Sequence, residues 1–432
     1  MWGVTRVREA RDSRMAKGGV APAQPSQRQR WRPWDESTTP VRWGESETHL
    51  AAQAAGLGKG TLLRDVDARW ELGKHTFRAD FDGGNLARVE RLKEGSYQLW
   101  TRADNEGSDA ETTHRTWFHF EVTGCAEGET LTFAFMNLNK QGKLFGNDFR
   151  PVFRAHPSMK AYDRLRMPVQ YHTTDEGQFK FSFKHHFTSA EPVYFAFTFP
   201  FGFHDTERML RAIDARFADP QHGPKLMRHV YYRREVLARS LEGRPVHVLT
   251  ITSPQGMQEG TREERPVGLT LEPPGEHPAM APPGRKVFVV SAGVHPGEKP
   301  ANHMVNGVID FLLRTDDERA RALRELYVFK VIPILNPDGV YRGHYRSDTL
   351  GQNLNRCYDD PDPRTQPVIE RARRLYLHYA EEDRLAFYID LHGHVNKRGC
   401  FAYGNALEVR GAYHPRCGRV LVCFSSTPLR CF

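Results

Sequence analysis

Cysteine is scarce in this chain of 432 residues: Cys125, Cys357, Cys400, Cys417, Cys423 and Cys431 are all there are, with no C-x-x-C pair and no regular spacing. That argues against a disulfide framework and against structural zinc of the cysteine type, and it fits a reducing compartment. Long apolar runs are missing too, none reaching the roughly 18 residues that a membrane-spanning helix needs. The first residues, "MWGVTRVREARDSRMAKGG", lack the apolar stretch of a secretory signal, and Glu9 and Asp12 argue against a transit peptide. The expectation is a cytoplasmic protein with no membrane partner. Lys plus Arg outnumber Asp plus Glu by 61 to 53, a formal charge of +8. The cations are dispersed, however, and no basic stripe interleaves with aromatics, so an acidic peptide is a better partner than nucleic acid.

The hydrophobic content of 39% with 11% aromatics is ordinary for a globular core, and the length suits about two to three domains. Residues 1–70 are rich in Gln, Arg, Ser, Pro and Gly without periodicity and read as disordered; Trp31, Trp34 and Trp43 there read as incidental rather than as a docking motif. Over 71–204 short segments alternate with period two, among them "YQLW", "TWFHFEV", "LTFAFMNLN", "FKFSFKHHF" and "VYFAFTF". That pattern predicts an antiparallel all-β sandwich, with His185 and His186 as surface or edge histidines. From 205 onward a helical "DTERMLRAIDARF" leads into strands "RPVHVLTITS", "KVFVVSAG", "LYVFKVIPIL" and "RLAFYIDLHG", with helices over 300–313 and 368–379 between them. This is α/β with a mixed or parallel sheet, and the Pro- and Gly-rich 253–284 reads as a surface insertion.

His-x-x-acid occurs four times, at His172/Asp175, His204/Glu207, His295/Glu298 and His378/Glu381. Composition alone gives about 2.5 such cases by chance, so spacing decides nothing. Placement does: 295–298, 336–339 and 390–394 each lie just past the end of an apolar strand, the edge where open α/β sheets gather ligands. Catalytic zinc asks for three ligands of the His, His, carboxylate kind with a position left open. His295 and Glu298 supply a close pair, and "YIDLHGH" supplies His392. His394 is a rival, but a ligand in the first turn after a strand is held more rigidly. Between them runs "NPDGVYRGHYRSDTLGQNLNRCYDD", a turn followed by Arg342, Arg346 and Arg356, with Asn355 as a neutral donor. An arginine fork is suited to a chain-terminal carboxylate.

"HPGE", "NPDG", "GHYR", "NLNR" and "DLHGH", in this order, resemble the zinc metallocarboxypeptidases, specifically the cytosolic carboxypeptidases that trim glutamates from tubulin tails. The β-rich segment is similar to the amino-terminal domain of that family, and the resemblance spans about Tyr97 to Asn405. It implies a zinc carboxypeptidase domain over 205–405, with a mixed sheet and an incomplete carboxyl end, behind the β-sandwich. It further implies one Zn2+ per chain on His295, Glu298 and His392, with Asn353 behind His295. Arg346 would polarise the scissile carbonyl, and Asn355 and Arg356 would clamp the substrate carboxylate. Glutamate-rich carboxyl-terminal tails, tubulin's above all, become the expected partners, and a microtubule-associated location follows. The family's base is a glutamate on a later strand. Here residues 393–432 hold one acidic residue, Glu408, too early to match, and 406–432 reads as a divergent tail without further helix and strand alternation. The expectation is therefore an inactive or slow member. Two other readings stay open: a non-catalytic binder of acidic tails, and an aminoacylase-like zinc hydrolase of N-acyl amino acids.

Overall fold

The computed structural model describes residues 68–257, 263, 269, 271, 279–394, 399–404 and 419–425. The amino-terminal stretch with its three tryptophans, most of the 253–284 insertion, and Glu408 with most of the tail lie outside the described residues.

The alternating aromatic segments build two facing sheets. Their strands are β1 (Arg69–Leu72), β2 (His75–Arg78), β3 (Arg88–Lys93), β4 (Ser96–Trp100), β5 (His119–Thr123), β6 (Thr130–Phe135), β7 (Val152–Ala155), β8 (Asp163–Arg164), β9 (Gln170–Thr173), β10 (Phe179–His186) and β11 (Val193–Ala196). One sheet runs β1-β2-β5-β11-β7-β8 and the other β3-β4-β6-β10-β9. Each strand turns every second side chain inward, so Phe120 and Phe195 of the first sheet meet Phe133 of the second at ring-centroid distances of 5.8 and 5.1 Å. Burying each such ring contributes roughly 1.5–3 kcal/mol. Two expectations change here. β4 and β6 pair in parallel, because the intervening chain crosses to the other sheet as β5 before returning. His185 is not at the surface: it is buried against Phe153, Phe187 and Phe195, with centroids at 4.6, 4.8 and 5.0 Å. The alternation of β10 puts it in register with Phe181 and Phe183. His186, one residue on, is exposed and meets the Thr130 hydroxyl at 3.0 Å.

The third sheet comprises β12 (Tyr231–Arg239), β13 (Pro245–Thr252), β14 (Lys286–Ala292), β15 (Tyr327–Ile332), β16 (Leu385–His394), β17 (Cys400–Gly404) and β18 (Arg419–Ser425), in the order β12-β13-β15-β14-β16-β18-β17. The central β15-β14-β16-β18 pairs are parallel and the flanking pairs antiparallel. "RVLVCFS", read from sequence as part of a divergent tail without further helix and strand alternation, joins the sheet as β18. Helix Lys299–Leu312 follows β14. Ala301, Val305, Ile309 and Leu312 form its buried stripe, and Pro300 in its first turn gives up no hydrogen bond.

The paired sheets and the α/β part share close contacts. The Asp82 carboxylate accepts the Phe203 and His204 amides (3.1 and 2.7 Å) at the start of helix Phe203–Ala218, a favourable place for an anion. Gly343, at φ 70°, lies so close to Gly84 that a Cβ would sit 2.4 Å from its carbonyl oxygen; glycine alone fits.

Candidate metal centre

β14 and β16 are parallel neighbours, so their carboxyl ends lie side by side. His295 follows β14 in a turn, Glu298 caps the next helix, and His392 is near the end of β16. Candidate ligand atoms of the three lie within 4.8 Å of one another. His295 Nδ1 is 2.8 Å from Glu298 Oε1, and His392 Nδ1 is 3.0 Å from Oε2. The Gly393 amide also donates to Oε2 (2.8 Å), which fixes the carboxylate between the two rings.

The far nitrogens of both rings are occupied. His295 Nε2 faces Asn353 Oδ1 at 3.0 Å, and His392 Nε2 faces Asp390 Oδ2 at 2.7 Å. Asp390 is itself fixed by the Ser291 hydroxyl at 2.6 Å. Each Nε2 is held from behind and each Nδ1 is aimed at the shared space, the orientation that metal-binding histidines adopt. For His392, burial disfavours the charged ring but the Asp390 and Glu298 carboxylates outweigh it, raising the pKa to about 10. Burial opposes ionisation of Glu298, yet the two histidines hold its carboxyl far below the usual range. A buried group with two carboxylates and two imidazoles so oriented, whose Nδ1 protons would leave on binding, fits a divalent cation such as zinc.

The remaining sequence candidates divide. Arg346 is half-buried, its guanidinium 3.8 Å from Glu298 Oε1. Asn353 Oδ1 also accepts the Asn355 amide at 3.2 Å, which links the His295 side of the centre to the short turn carrying Asn355 and Arg356. Arg356 is exposed, with one guanidinium nitrogen 3.2 Å from the Asn355 carbonyl. Arg342 is not with them: it is buried, with Nε 3.0 Å from Glu242 Oε1, and braces the fold. "NPDG" is more than a turn, since Asn336 Oδ1 accepts the Gly339 amide (3.0 Å) and caps helix Pro337–Arg342. His394 packs edge-on against Phe401 at 5.2 Å. The decoy pairs have ordinary partners: His204 faces Asp82, Glu207 faces His247 and His378 faces Glu382.

Two participants had no role assigned from sequence. Asp390 could have been found, because a residue two before His392 on a strand shares its face. Asp104 could not. It lies after β4, is 1% exposed, and its carboxylate accepts the amides of Tyr345, Arg346 and Ser347 (2.6, 2.8 and 2.8 Å) and the Ser347 hydroxyl (2.9 Å). The β-sheet part thus holds the loop bearing Arg346.

Comparison with known proteins agrees with this layout. Residues 231–396 match the zinc carboxypeptidase family and residues 77–198 match the cytosolic carboxypeptidase N-terminal domain. Cytosolic carboxypeptidase-like protein 5 of Homo sapiens is 32% identical, covering 77% of this chain and 50% of that protein; its counterpart in Danio rerio is 36% identical over 73% and 38%. Cytosolic carboxypeptidase 6 of Caenorhabditis elegans is 30% identical over 77% and 65%. The chain spans about half the length of the human relative. Among solved structures, a metallo-carboxypeptidase from Burkholderia cenocepacia superposes with a TM-score of 0.60 at 21% identity, covering 82% of this chain and 90% of that one, a likeness of fold.

Proposed function

Because the chain belongs to the zinc carboxypeptidase family and carries the amino-terminal domain of its cytosolic branch, we propose that it recognises the carboxyl ends of acidic protein tails, tubulin's among them, as a deglutamylase by lineage. The observation that supports this best is the convergence of His295, Glu298 and His392 beside Arg346. His295, Glu298 and His392 would hold a single zinc ion, which when bound would supply Lewis acidity toward a carbonyl oxygen. Arg346 stabilises negative charge as it grows on that oxygen. Arg356 and Asn355 grip the terminal carboxylate, a charge-assisted contact made specific by the planar guanidinium. The net charge of +8 favours an acidic partner.

Removal of a proton from the attacking water needs a base, and the two carboxylates against the histidines are engaged: Glu298 lies between the rings and Asp390 is buried behind His392. Among the described residues no carboxylate beside the centre is left for that task, and we propose that these 432 residues bind glutamate-ended peptides but cleave them about 10²- to 10⁴-fold more slowly than a relative with a base in place. This keeps a second reading, a binder of acidic tails, in play. The amino-terminal domain match argues against a hydrolase of small N-acyl amino acids.

Metal analysis and peptide binding test both parts. His295→Ala and His392→Ala should each lower zinc content by one equivalent, and unchanged content in both would sink the ligand assignment. Arg356→Ala should weaken binding of a free-carboxylate peptide by about 10-fold or more while leaving its amidated counterpart nearly unaffected. Equal losses would make Arg356 a bracing cation. Fast cleavage that collapses in Glu408→Gln would identify Glu408 as the base and end the binder reading.

A further inference from the structure

A second set of donors lies on the aromatic sheets, on other elements than the first. His75 opens β2, Cys125 is in the turn after β5, and Glu129 directly precedes β6. One ligand atom from each lies within 4.8 Å of the others. His75 and Cys125 are each 4% exposed.

His75 and Glu129 are each anchored on the side away from the group. His75 Nδ1 and the Tyr97 hydroxyl are 2.5 Å apart. Glu129 Oε2 accepts from Lys74 Nζ and from the Ala126 amide, both at 2.9 Å. His75 Nε2, Cys125 Sγ and Glu129 Oε1 remain for a shared partner. Nε2 lies 3.0 Å from Oε1 and yet makes no aligned hydrogen bond. A buried ring nitrogen without an aligned partner is destabilising, and an ion between the two ligands would satisfy it.

We propose that His75, Cys125 and Glu129 form a second metal site, for a zinc-class divalent ion, that fastens β2, the turn after β5 and the start of β6 together. A thiolate, an imidazole and a carboxylate select a borderline-soft ion over magnesium or calcium. The contacts behind His75 and Glu129 play the part that Asn353 and Asp390 play for the other histidines, fixing ring tautomer and carboxylate orientation. On binding, the Cys125 S–H bond breaks, its proton passes to solvent, and a sulfur–metal bond forms. Thiolate and carboxylate then balance the two positive charges, and Lys74 keeps its place on Oε2. Water completes the shell from the side where Glu129, 18% exposed, meets solvent. Nothing in this site depends on the residues of the His295 centre.

The test uses the full chain carrying His295→Ala and His392→Ala, stripped with chelator and titrated with zinc, then with cobalt(II). One zinc per chain should be retained, cobalt should give a thiolate charge-transfer band, and zinc should raise the unfolding temperature. Cys125→Ser, or the nearly isosteric Glu129→Gln if the serine variant does not fold, should abolish all three effects. A natively folded double variant that takes up no zinc and shows no band would overturn the proposal and leave His75 and Glu129 as an ion pair. Retained zinc indifferent to both Cys125→Ser and Glu129→Gln would overturn it equally.

Discussion

His185 stands where its strand calls for a phenylalanine, and burial among rings pushes its pKa down to about 4. In the unfolded chain the ring titrates near 6.5. Above that pH both states are neutral; as pH falls toward 4 only the unfolded state gains a proton, so stability is lost across that window. His185→Leu should remove that loss, worth on the order of 2 kcal/mol by pH 4, in denaturant unfolding followed from pH 7 to 4. A variant with the same pH slope as the parent would refute the assignment. Asp390 offers a prediction of another kind. Asp390→Asn keeps the shape of the side chain but weakens its hold on His392 Nε2–H, and should raise the zinc dissociation constant about 10- to 100-fold in a chelator competition. An unaltered constant would mean that the ring needs no anion behind it.

At the level of elements, the loop 343–348 is shaped from outside. Asp104 takes three of its amides, Asn105 Nδ2 donates to the Asp348 carbonyl (2.8 Å), and Asn85 Nδ2 donates to the Gly343 carbonyl (2.9 Å). Asp104→Ala should leave zinc content intact, speed hydrogen exchange at Tyr345–Ser347, and weaken peptide binding about 10-fold through a displaced Arg346. Unchanged exchange there would show that the loop holds its own shape. The sequence made the strands and helices around this loop legible, since period-two aromatics mark β4, β5, β6, β10 and β11 and strand-end placement marks the His295, Glu298 and His392 group. It did not disclose β12, whose "YYRREVLAR" carries arginines and a glutamate where an apolar run was sought; its place at the edge of the sheet tolerates them. The buried role of Arg342 was equally hidden, because a guanidinium paired with Glu242 and one free to meet substrate look alike in a string of letters. Asp104 was beyond reach for a simpler reason: its partners lie 241 to 243 residues away.

For the whole molecule, those long-range contacts tie the β sheets to the α/β part, and the two are expected to unfold as one unit. Trp117, whose indole donates to the Gly83 carbonyl at 2.8 Å and lies 5.1 Å from Lys299 Nζ, reports on the junction. Its fluorescence and the far-ultraviolet dichroism should therefore change together in urea, with one midpoint. Two separated transitions would show that the halves are stable apart. The Asp104 carboxylate also sets a schedule. A ribosome adding about 5–20 residues per second delivers Asp104 some 10 to 50 seconds before Tyr345, Arg346 and Ser347 emerge. Through that interval the nascent β sheets hold a carboxylate whose partners do not yet exist, so the loop bearing Arg346 is the late arrival that completes a socket already waiting for it.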